Sequence, residues 1–317
     1  MSRPSNDSLR PVPRPVEGGQ AVELDFPGLE VGAAEYDEGP TGCTVFHFPR
    51  RAIVSVDVRG GASEWSGGDG AIDAICLAGG SAYGMDALSG VRAELLARRG
   101  YSTEWLDIAL VAGAIIYDFG PRDNAVYPDA ALGRAALRAA RPGWFPVGPR
   151  GAGRSATVGK LLRGRHGREA AGQGGAFRRV GESRIAVFTV VNAVGAIVDR
   201  QGRVVRGNRD PATGARGDLL DDLERALAEA TAPPRGNTTL TVVVTNRRLG
   251  GHELRQLGRQ VHASMARAIQ PFHAATDGDV LFAVTTGALD DDRPPFALLA
   301  TLASELAWDA VLSSPGR

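Results

Sequence analysis

Lysine, cysteine and aromatic residues are scarce in this sequence, and neither sign of charge is in excess. Its 36 basic and 36 acidic residues give a formal net charge of zero, and aromatic residues make up 6% of the chain. A balanced charge provides no general attraction for nucleic acid or for an acidic membrane surface. We therefore expect neither of these as a partner, and instead a small or neutral molecule or another copy of the chain.

The two cysteines, Cys43 and Cys76, are far apart in the sequence and lack metal-ligand spacing. The five histidines form neither an HExxH helix nor a pair with ligand spacing. The sequence also lacks an apolar signal region and a spanning run of about 20 apolar residues. These absences predict a reduced, cytoplasmic protein that uses no metal or other cofactor.

Lysine is the scarcest of these residues, because Lys160 is the only lysine and the other 35 of the 36 lysine and arginine residues are arginine. A bias toward GC-rich codons explains missing lysines at exposed positions, where the two cations are nearly interchangeable. A lysine that remains can be one whose compact ammonium a guanidinium cannot replace. Chance retention explains it about equally well, so this composition alone leaves both interpretations open.

The chain is long and apolar enough to bury a large core, since 43% of its 317 residues are hydrophobic. Residues 1–22 are rich in Pro, Arg, Ser and Gly and show no periodicity, which predicts a disordered arm. Val- and Ala-rich strands with short hairpin links favour antiparallel sheets packed in layers and covered by helices. Strands are predicted at 52–58, 108–117, 185–191, 196–199, 239–245 and 280–286, and helices at 82–98, 129–140, 218–230, 252–268 and 296–312.

Two glycine-rich stretches suggest other chemistries but fail on spacing. The stretch GAGRSATVGKLL resembles a phosphate loop, yet five residues rather than four separate Gly153 from Gly159, and Leu161 stands where a Ser or Thr is needed. The stretch LAGGSAYGMD places Ser81 in a turn before a helix, as a nucleophile elbow does, but Tyr83 occupies a position that requires glycine. Neither nucleotide binding nor a serine nucleophile is favoured.

Thr238 is a candidate nucleophile of a different kind. In PPRGNTTLTVVVTN a strand begins at Thr238, directly after Asn237 and a Pro- and Gly-containing linker. If the peptide bond between Asn237 and Thr238 breaks, the new α-amino group, with a reference pKa of about 7.7, can serve as base for the Thr hydroxyl. The hydroxyl can cause that break itself, by an N-to-O acyl shift followed by hydrolysis. On local sequence alone, an ordinary boundary between loop and strand remains the more frequent explanation.

Two acidic residues precede the strand predicted at 280–286. Asp277 and Asp279 flank Gly278 in the stretch TDGDVLFAV. Carboxylates at positions i and i+2 of an extended segment can share one side, where they could orient the hydroxyl and amine of Thr238. The structural alternative is a polar turn with glycine at positive φ.

Several blocks, in order, resemble the DmpA-type family of self-cleaving N-terminal-nucleophile hydrolases, and within it the nylon-oligomer hydrolases. They run from about Leu24 to the C-terminus and include EVGAAEYDEGPTG, AICLAGGSAYGMDA, AVYPDAALGRAAL, GNTTLTVVVTN and RAIQPFHAATDGDVLFAVTT. The resemblance implies an α+β fold, namely a layered αββα sandwich formed by a single domain at 23–317. It also implies self-cleavage into an α chain (1–237) and a β chain (238–317) that stay together, and a homo-oligomer, a tetramer of such heterodimers.

The same resemblance assigns roles to six residues of a catalytic site: the nucleophile Thr238, the supporting acidic pair Asp277 and Asp279, the catalytic-site lysine Lys160, the oxyanion-binding amide Asn192 in VVNAVGAIVD, and the active-site tyrosine Tyr117 in IIYDF. These roles are chemically reasonable. An amide at Asn192 can donate to a developing oxyanion. An ammonium at Lys160 would hold the Thr alkoxide and favour a neutral Thr amine.

One position separates the subfamilies. The family's aminopeptidases have a glutamate two residues before the tyrosine that matches Tyr117, and it pairs with the free amino group of the substrate; here that position is Ile115. Ile115 and Tyr117 are accordingly predicted to contact substrate, and an apolar residue cannot anchor an ammonium. This favours cleavage of internal amide bonds of 6-aminohexanoate oligomers over aminopeptidase action. An acyltransferase of the ornithine-acetyltransferase kind and a non-catalytic scaffold remain alternatives.

Overall fold

The structure is a computed structural model that describes residues 3–161, 167–216, 236–291 and 293–316, together with 223–224 and 227–228. The helices in these parts of the chain include α1 (Asn6–Leu9), α2 (Asp86–Arg98), α3 (Ala130–Arg138), α4 (Gly251–Ser264) and α5 (Phe296–Ser313). The strands are β1 (Arg14–Pro15), β2 (Ala21–Glu23), β3 (Glu30–Tyr36), β4 (Thr41–Val58), β5 (Trp65–Ser66), β6 (Gly70–Ala78), β7 (Val111–Ile115), β8 (Trp144–Pro146), β9 (Thr157–Val158), β10 (Glu169–Ala170), β11 (Gln173–Val180), β12 (Ser183–Asn192), β13 (Ala196–Val198), β14 (Val204–Arg206), β15 (Thr238–Arg247), β16 (Ile269–Gln270) and β17 (Val280–Leu289).

Most elements lie where the hydrophobic pattern predicts them. Helices α2 to α5 coincide with four of the predicted helices, with ends that differ by at most four residues, and each predicted strand overlaps an observed one. The remaining helix, predicted at 218–230, falls largely outside the described residues.

Strand β12 shows how the sequence builds layers, because both of its faces are apolar. Ala186 and Phe188 belong to one buried cluster, whereas Ile185 and Val187 belong to another. Since successive side chains on a strand point to opposite faces, β12 must be covered on both sides. One side faces other strands and the other faces helices.

The main sheet has ten strands, in the order β11-β12-β15-β17-β4-β6-β7-β5, with β3 also paired to β4 and β1 to β3. The neighbours β15 and β17 are parallel, as are β6 and β7, and the other pairs in this sheet are antiparallel. Strand β4 pairs with β3 through its first half and with β17 through its second half, and its pairing with β6 is irregular between His47 and Ala52. The single long strand β4 therefore joins two halves of the sheet.

Three buried clusters separate four layers. The inner cluster contains Phe46, Phe145 and Phe188, whose ring centroids lie 4.7 to 6.0 Å apart. A second cluster joins α4 and α5 to the outer face of β12, β15 and β17, and a third joins α2 and α3 to the outer face of β3, β4, β6 and β7. This is the αββα sandwich predicted from the resemblance, and the fold prediction is confirmed.

The N-terminal segment differs from its prediction. Residues 3–22 form α1 and β1 and begin β2, and they pack onto the domain instead of extending as a disordered arm. The Asn6 side chain donates to the backbone oxygen of Tyr127 at 3.0 Å and to Asp129 at 2.9 Å, and it accepts from the Tyr127 N–H at 3.0 Å. The prediction of disorder was wrong because these partners lie more than a hundred residues away and leave no local periodicity.

Helix α5 is long and apolar enough to cross a membrane by length and composition, with a mean hydropathy of 1.4 over 18 residues. Its residues Leu299, Ala303, Leu306 and Ala310 are buried in the cluster beneath it. This packing accounts for its apolar character, as it does for the core helices of other globular proteins.

Candidate active site

Thr238 is the first residue of β15, and parallel pairing brings it beside the acidic pair. Leu240 of β15 pairs with Val280 of β17, so the residues just ahead of both strands also lie side by side. Asn237 forms an isolated parallel bridge with Asp277. On the other side of β15, Thr238 pairs with Asn192, the last residue of β12. Three strand ends thus place the predicted nucleophile, acid and amide together at one edge of the sheet.

The carbonyl oxygen of Asn237 accepts two hydrogen bonds. The Thr238 hydroxyl donates at 2.5 Å and the Gly278 N–H donates at 2.8 Å. Asn237 and Thr238 are 1% and 5% exposed. The hydroxyl therefore lies next to the carbonyl that an N-to-O acyl shift would attack, and a backbone donor already polarises that carbonyl.

Asp277 is fully buried, and each of its carboxylate oxygens accepts a backbone hydrogen bond. Val194 N–H donates to one oxygen at 3.2 Å and Ala274 N–H to the other at 3.1 Å. Burial, followed by the neighbouring charge of Asp279, raises the pKa of Asp277 to about 6, although the two backbone donors and Lys160 act in the opposite direction. Its protonation state therefore changes close to neutral pH.

Asp279 connects the start of β15 to a histidine that the sequence analysis did not single out. One carboxylate oxygen accepts the Thr239 N–H at 2.6 Å, and the other lies 2.9 Å from Nδ1 of His273. Asp279 is fully buried, and the His273 side chain is 19% exposed. The signal that could have found His273 is its place six residues before Asp279, but only the turn between them brings the two side chains into contact.

Lys160 and Asn192 contact each other directly. The Lys160 ammonium donates to the backbone oxygen of Asn192 at 2.8 Å and to its side-chain oxygen at 3.0 Å, which also accepts the Thr157 N–H at 3.0 Å. With donors around its oxygen, the Asn192 amide must direct its NH₂ group the other way. That group donates to the backbone oxygen of Tyr117 at 3.0 Å and reaches that of Gly236 at 3.5 Å.

Tyr117 lies against the segment that precedes Thr238. A Cβ atom built on Gly236 would meet Cδ1 and Cγ of the tyrosine ring at 2.7 Å, so the backbone of this glycine packs directly on the ring. Gly236 also has φ of 80°, which favours glycine. The Tyr117 side chain is 40% exposed and packs edge-on against Phe119. Gly236 and Asn237 thus occupy the space between Tyr117 and Asn192.

Ile115 is not part of this group. It is 5% exposed and belongs to the cluster between β7 and the helices α2 and α3, with Leu88 and Leu132. Its neighbour Ile116 faces the inner cluster instead. The alternation of the strand turns the Ile115 side chain toward the helix layer, and its contact with substrate stays a prediction.

A metal site and a cavity are the other features that can mark a functional site. Within the part of the chain that the structure describes, no group of three or more His, Cys, Asp or Glu side chains is arranged to hold a metal ion. A cavity of about 830 Å³ lies between the N-terminal segment and α3, lined by residues such as Val16, Arg134 and Arg138, and none of its lining residues belongs to the group around Thr238.

Comparison with known proteins assigns the family. Residues 24–313 match Peptidase family S58. The chain belongs to this family. Family S58 enzymes are peptidases, so the protein is a hydrolase, and the predicted resemblance to DmpA-type hydrolases is confirmed.

The relatives of this chain include proteins named as endohydrolases and proteins named as aminopeptidases. The chain is 49% identical to 6-aminohexanoate-oligomer endohydrolases of Agromyces sp. (strain KY5R) and Paenarthrobacter ureafaciens, over 98% of this chain and 90% of each relative. It is 32% identical to a Mycobacterium bovis aminopeptidase described as uncharacterized, over 78% of this chain and 74% of that protein.

Solved structures agree on the fold. The L-aminopeptidase D-Ala-esterase/amidase of Ochrobactrum anthropi, described as a variant of the N-terminal-nucleophile hydrolase fold, superposes with a TM-score of 0.65 at 16% identity, covering 91% of this chain and 84% of that chain. A β-aminopeptidase of Burkholderia sp. superposes with a TM-score of 0.61 at 18% identity, covering 94% and 88%.

Proposed function

We propose that this family S58 chain cuts itself between Asn237 and Thr238, and that Thr238 is then the nucleophile of an amide hydrolase. The observation that carries the proposal is the environment of the Asn237 carbonyl. It lies between the Thr238 hydroxyl and the Gly278 N–H, and the segment before it fills the space between Tyr117 and Asn192. Before cleavage, residues 236–237 would act as an internal substrate.

Self-cleavage would use groups that are already in place. The Thr238 hydroxyl attacks the Asn237 carbonyl carbon and forms a C–O bond, its proton passes to the amide nitrogen, and the C–N bond then breaks, which gives an ester and a free Thr238 amine. The Gly278 N–H stabilises the negative charge that develops on the carbonyl oxygen, because a donor fixed in advance costs no reorganisation. Water then hydrolyses the ester and releases the carboxylate of Asn237.

Turnover would repeat the same chemistry on an external amide. The Thr238 amine takes the hydroxyl proton, the oxygen attacks the substrate carbonyl, and the ammonium returns the proton to the leaving amine. Water then hydrolyses the ester on Thr238, which releases the acid product and restores the hydroxyl. The Asn192 NH₂ group, which donates toward the Gly236 oxygen in the uncut chain, becomes available to the substrate oxyanion once that segment leaves. Lys160 holds the Asn192 oxygen and so keeps this NH₂ group aimed at the site.

We propose internal amide bonds of linear or cyclic 6-aminohexanoate oligomers as the substrate. The relatives at 49% identity carry that activity in their names, over nearly the whole of both chains. Each carboxylate oxygen of Asp277 and Asp279 already contacts a nitrogen donor of the protein, so neither carboxylate is held ready for a substrate ammonium. Aminopeptidase action on peptides or on β- or ω-amino-acid amides is the second candidate, favoured by the mycobacterial relative.

We further propose a cytoplasmic homo-oligomer, a tetramer of cleaved heterodimers. Both cysteines are free, which suits a reducing compartment. Trp105 and Leu106 are 87% and 78% exposed, and Tyr101 is 70% exposed in the same segment. A patch of exposed apolar side chains is typical of an interface between proteins, and a second copy of the chain would cover it.

Mass spectrometry under denaturing conditions tests the self-cleavage directly. We expect two fragments, 1–237 and 238–317, from the purified wild-type chain, and one uncut, inactive chain from Thr238→Ala. An intact wild-type chain that hydrolyses 6-aminohexanoate oligomers would refute the mechanism. A Thr238→Ala variant that turns over would remove Thr238 from its role.

A further inference from the structure

Two histidines, the fully buried His262 and the partly exposed His273, lie behind the acidic pair, one against each of two carboxylates. His273 Nδ1 lies 2.9 Å from Asp279, and His262 Nδ1, on α4, lies 2.8 Å from Asp57 of β4. The two imidazole rings are perpendicular, with centroids 4.5 Å apart. Asp279, His273, His262 and Asp57 therefore form one continuous group, which we call the histidine brace.

The hydrogen positions in the histidine brace follow from burial. His262 is fully buried, and burial, only partly offset by Asp57, lowers its pKa below the usual value. Near neutral pH its ring is therefore neutral, and the one N–H must lie on Nδ1 because a carboxylate can only accept. Among the residues that the structure describes, none is a hydrogen-bond partner of Nε2 of His262 or Nε2 of His273, and both atoms are buried. An unpaired buried nitrogen costs stability, so it needs an explanation beyond packing.

The backbone conformation at His273 is a second unusual feature of the histidine brace. His273 has φ of 58°, a left-handed conformation that is uncommon for histidine. This conformation directs the His273 ring to Asp279 while the N–H of the next residue, Ala274, donates to Asp277. Two successive residues thus supply one donor to each carboxylate of the acidic pair.

We propose that His273 is a positioning residue of the catalytic site, a role that rests on the function proposed above. Its Nδ1–H fixes the Asp279 carboxylate, whose other oxygen accepts the Thr239 N–H and so holds the first residues of β15. His262, anchored by Asp57, packs edge-on against the His273 ring and limits its rotation. The brace thereby sets the position of Thr238 without touching the substrate.

Two substitutions at His273 separate hydrogen bonding from packing. In His273→Asn the amide nitrogen stands at the same number of bonds from Cα as Nδ1, and asparagine tolerates the left-handed conformation. In His273→Ala the donor is absent. We expect His273→Asn to cleave itself and turn over within about threefold of wild type, and His273→Ala to lose about 10- to 100-fold in both rates, the loss in turnover falling on kcat with KM little changed. His252→Asn, an exposed histidine on α4, is the matched control and should behave as wild type.

Amide hydrogen exchange at Thr239 tests the proposal independently of activity. Measured in uncut Thr238→Ala chains, exchange at Thr239 should be faster with His273→Ala and unchanged with His273→Asn. Equal rates of exchange in the two variants, or equal losses of cleavage in both, would overturn the positioning role. Both variants lose the packing of the imidazole ring, so an equal effect would be explained by packing without the hydrogen bond. If the wild-type chain never cleaves, the proposed function fails, and the exchange measurement still decides the role of His273.

Discussion

The backbone N–H of Gly278 donates to the carbonyl oxygen of Asn237 at 2.8 Å, between the two carboxylates of the acidic pair. This donor sits where charge would develop if the Thr238 hydroxyl attacks that carbonyl. The glycine is required sterically, since a Cβ atom at this position would lie 2.6 Å from the Ala62 oxygen and 3.0 Å from the Thr238 hydroxyl. The central residue of the DGD stretch therefore serves the scissile bond through its backbone.

We accordingly expect Gly278→Ala to slow self-cleavage. The new methyl group must displace the backbone from the Asn237 carbonyl, and loss of one fixed oxyanion donor costs about 100- to 1000-fold in rate. The appearance of fragment 238–317 after expression, followed over time on denaturing gels, measures this. Gly68→Ala is the control, because a Cβ atom there meets nothing within 4 Å. Normal cleavage in Gly278→Ala would argue against a role for this N–H.

Lys160→Met should reduce turnover by at least about 100-fold, because it leaves the Asn192 oxygen without its charged donor and frees the amide to rotate. Lys160→Arg should not restore activity, since a planar guanidinium cannot take the place of a compact ammonium that reaches two oxygens of the same residue. Arg178→Met, which removes an exposed cation from β11, serves as the control for lost charge. Full activity of Lys160→Arg would show that charge alone suffices.

Asn6→Ala should lower the free energy of unfolding by about 1–2 kcal/mol, because three hydrogen bonds between the N-terminal segment and residues 127–129 are lost at once. Thermal unfolding of the purified chain measures this. Leu9→Ala, at an exposed position on the same helix, should have a much smaller effect. Equal stability of wild type and Asn6→Ala would indicate that the segment does not hold to the domain in solution.

Local sequence predicted the elements well and the contacts between distant residues poorly. The head of β15 and the DGD stretch could be found because each is a boundary between polar and apolar residues. The orientation of Ile115 could not be predicted, because β7 is buried on both faces and its sequence shows no alternation to fix which face each residue takes. The contact of His273 with Asp279 depends on a left-handed backbone conformation at a non-glycine residue, which the sequence does not indicate.

The raised pKa of Asp277 predicts how stability depends on pH. Its pKa of about 6 lies above the value of 3.8 expected in the unfolded chain, so the folded chain binds the proton more tightly. The resulting stabilisation is present below pH 4 and is lost as pH rises through 6. We compare Thr238→Ala with Thr238→Ala/Asp277→Asn, so that both chains stay uncut. Between pH 4.5 and 7.5, the stability of the first relative to the second should fall by about 2 kcal/mol.

Urea unfolding of both variants at the two pH values measures that difference, and any hydrogen bond lost to the asparagine cancels because it is common to both pH values. A difference that is independent of pH would show that Asp277 has an ordinary pKa in the folded chain. A rise with pH would mean that Asp277 is ionised more easily in the folded state than in the unfolded one, which would require a stronger cationic contact than Lys160 provides.

Substrate choice follows from the charges at the site. An aminopeptidase needs a carboxylate for the free amino group of its substrate, and the Asp277 and Asp279 oxygens are already engaged by protein donors. We therefore expect N-acetylated linear 6-aminohexanoate trimer to be hydrolysed with a kcat/KM within about threefold of the free-amine trimer, a difference of less than about 1 kcal/mol. Cyclic dimer, which has no free amine, should also be cut. Chromatographic product analysis with both trimers measures this. If acetylation lowers kcat/KM by about 100-fold or more, which is what the loss of a buried ion pair would cost, the enzyme is an aminopeptidase.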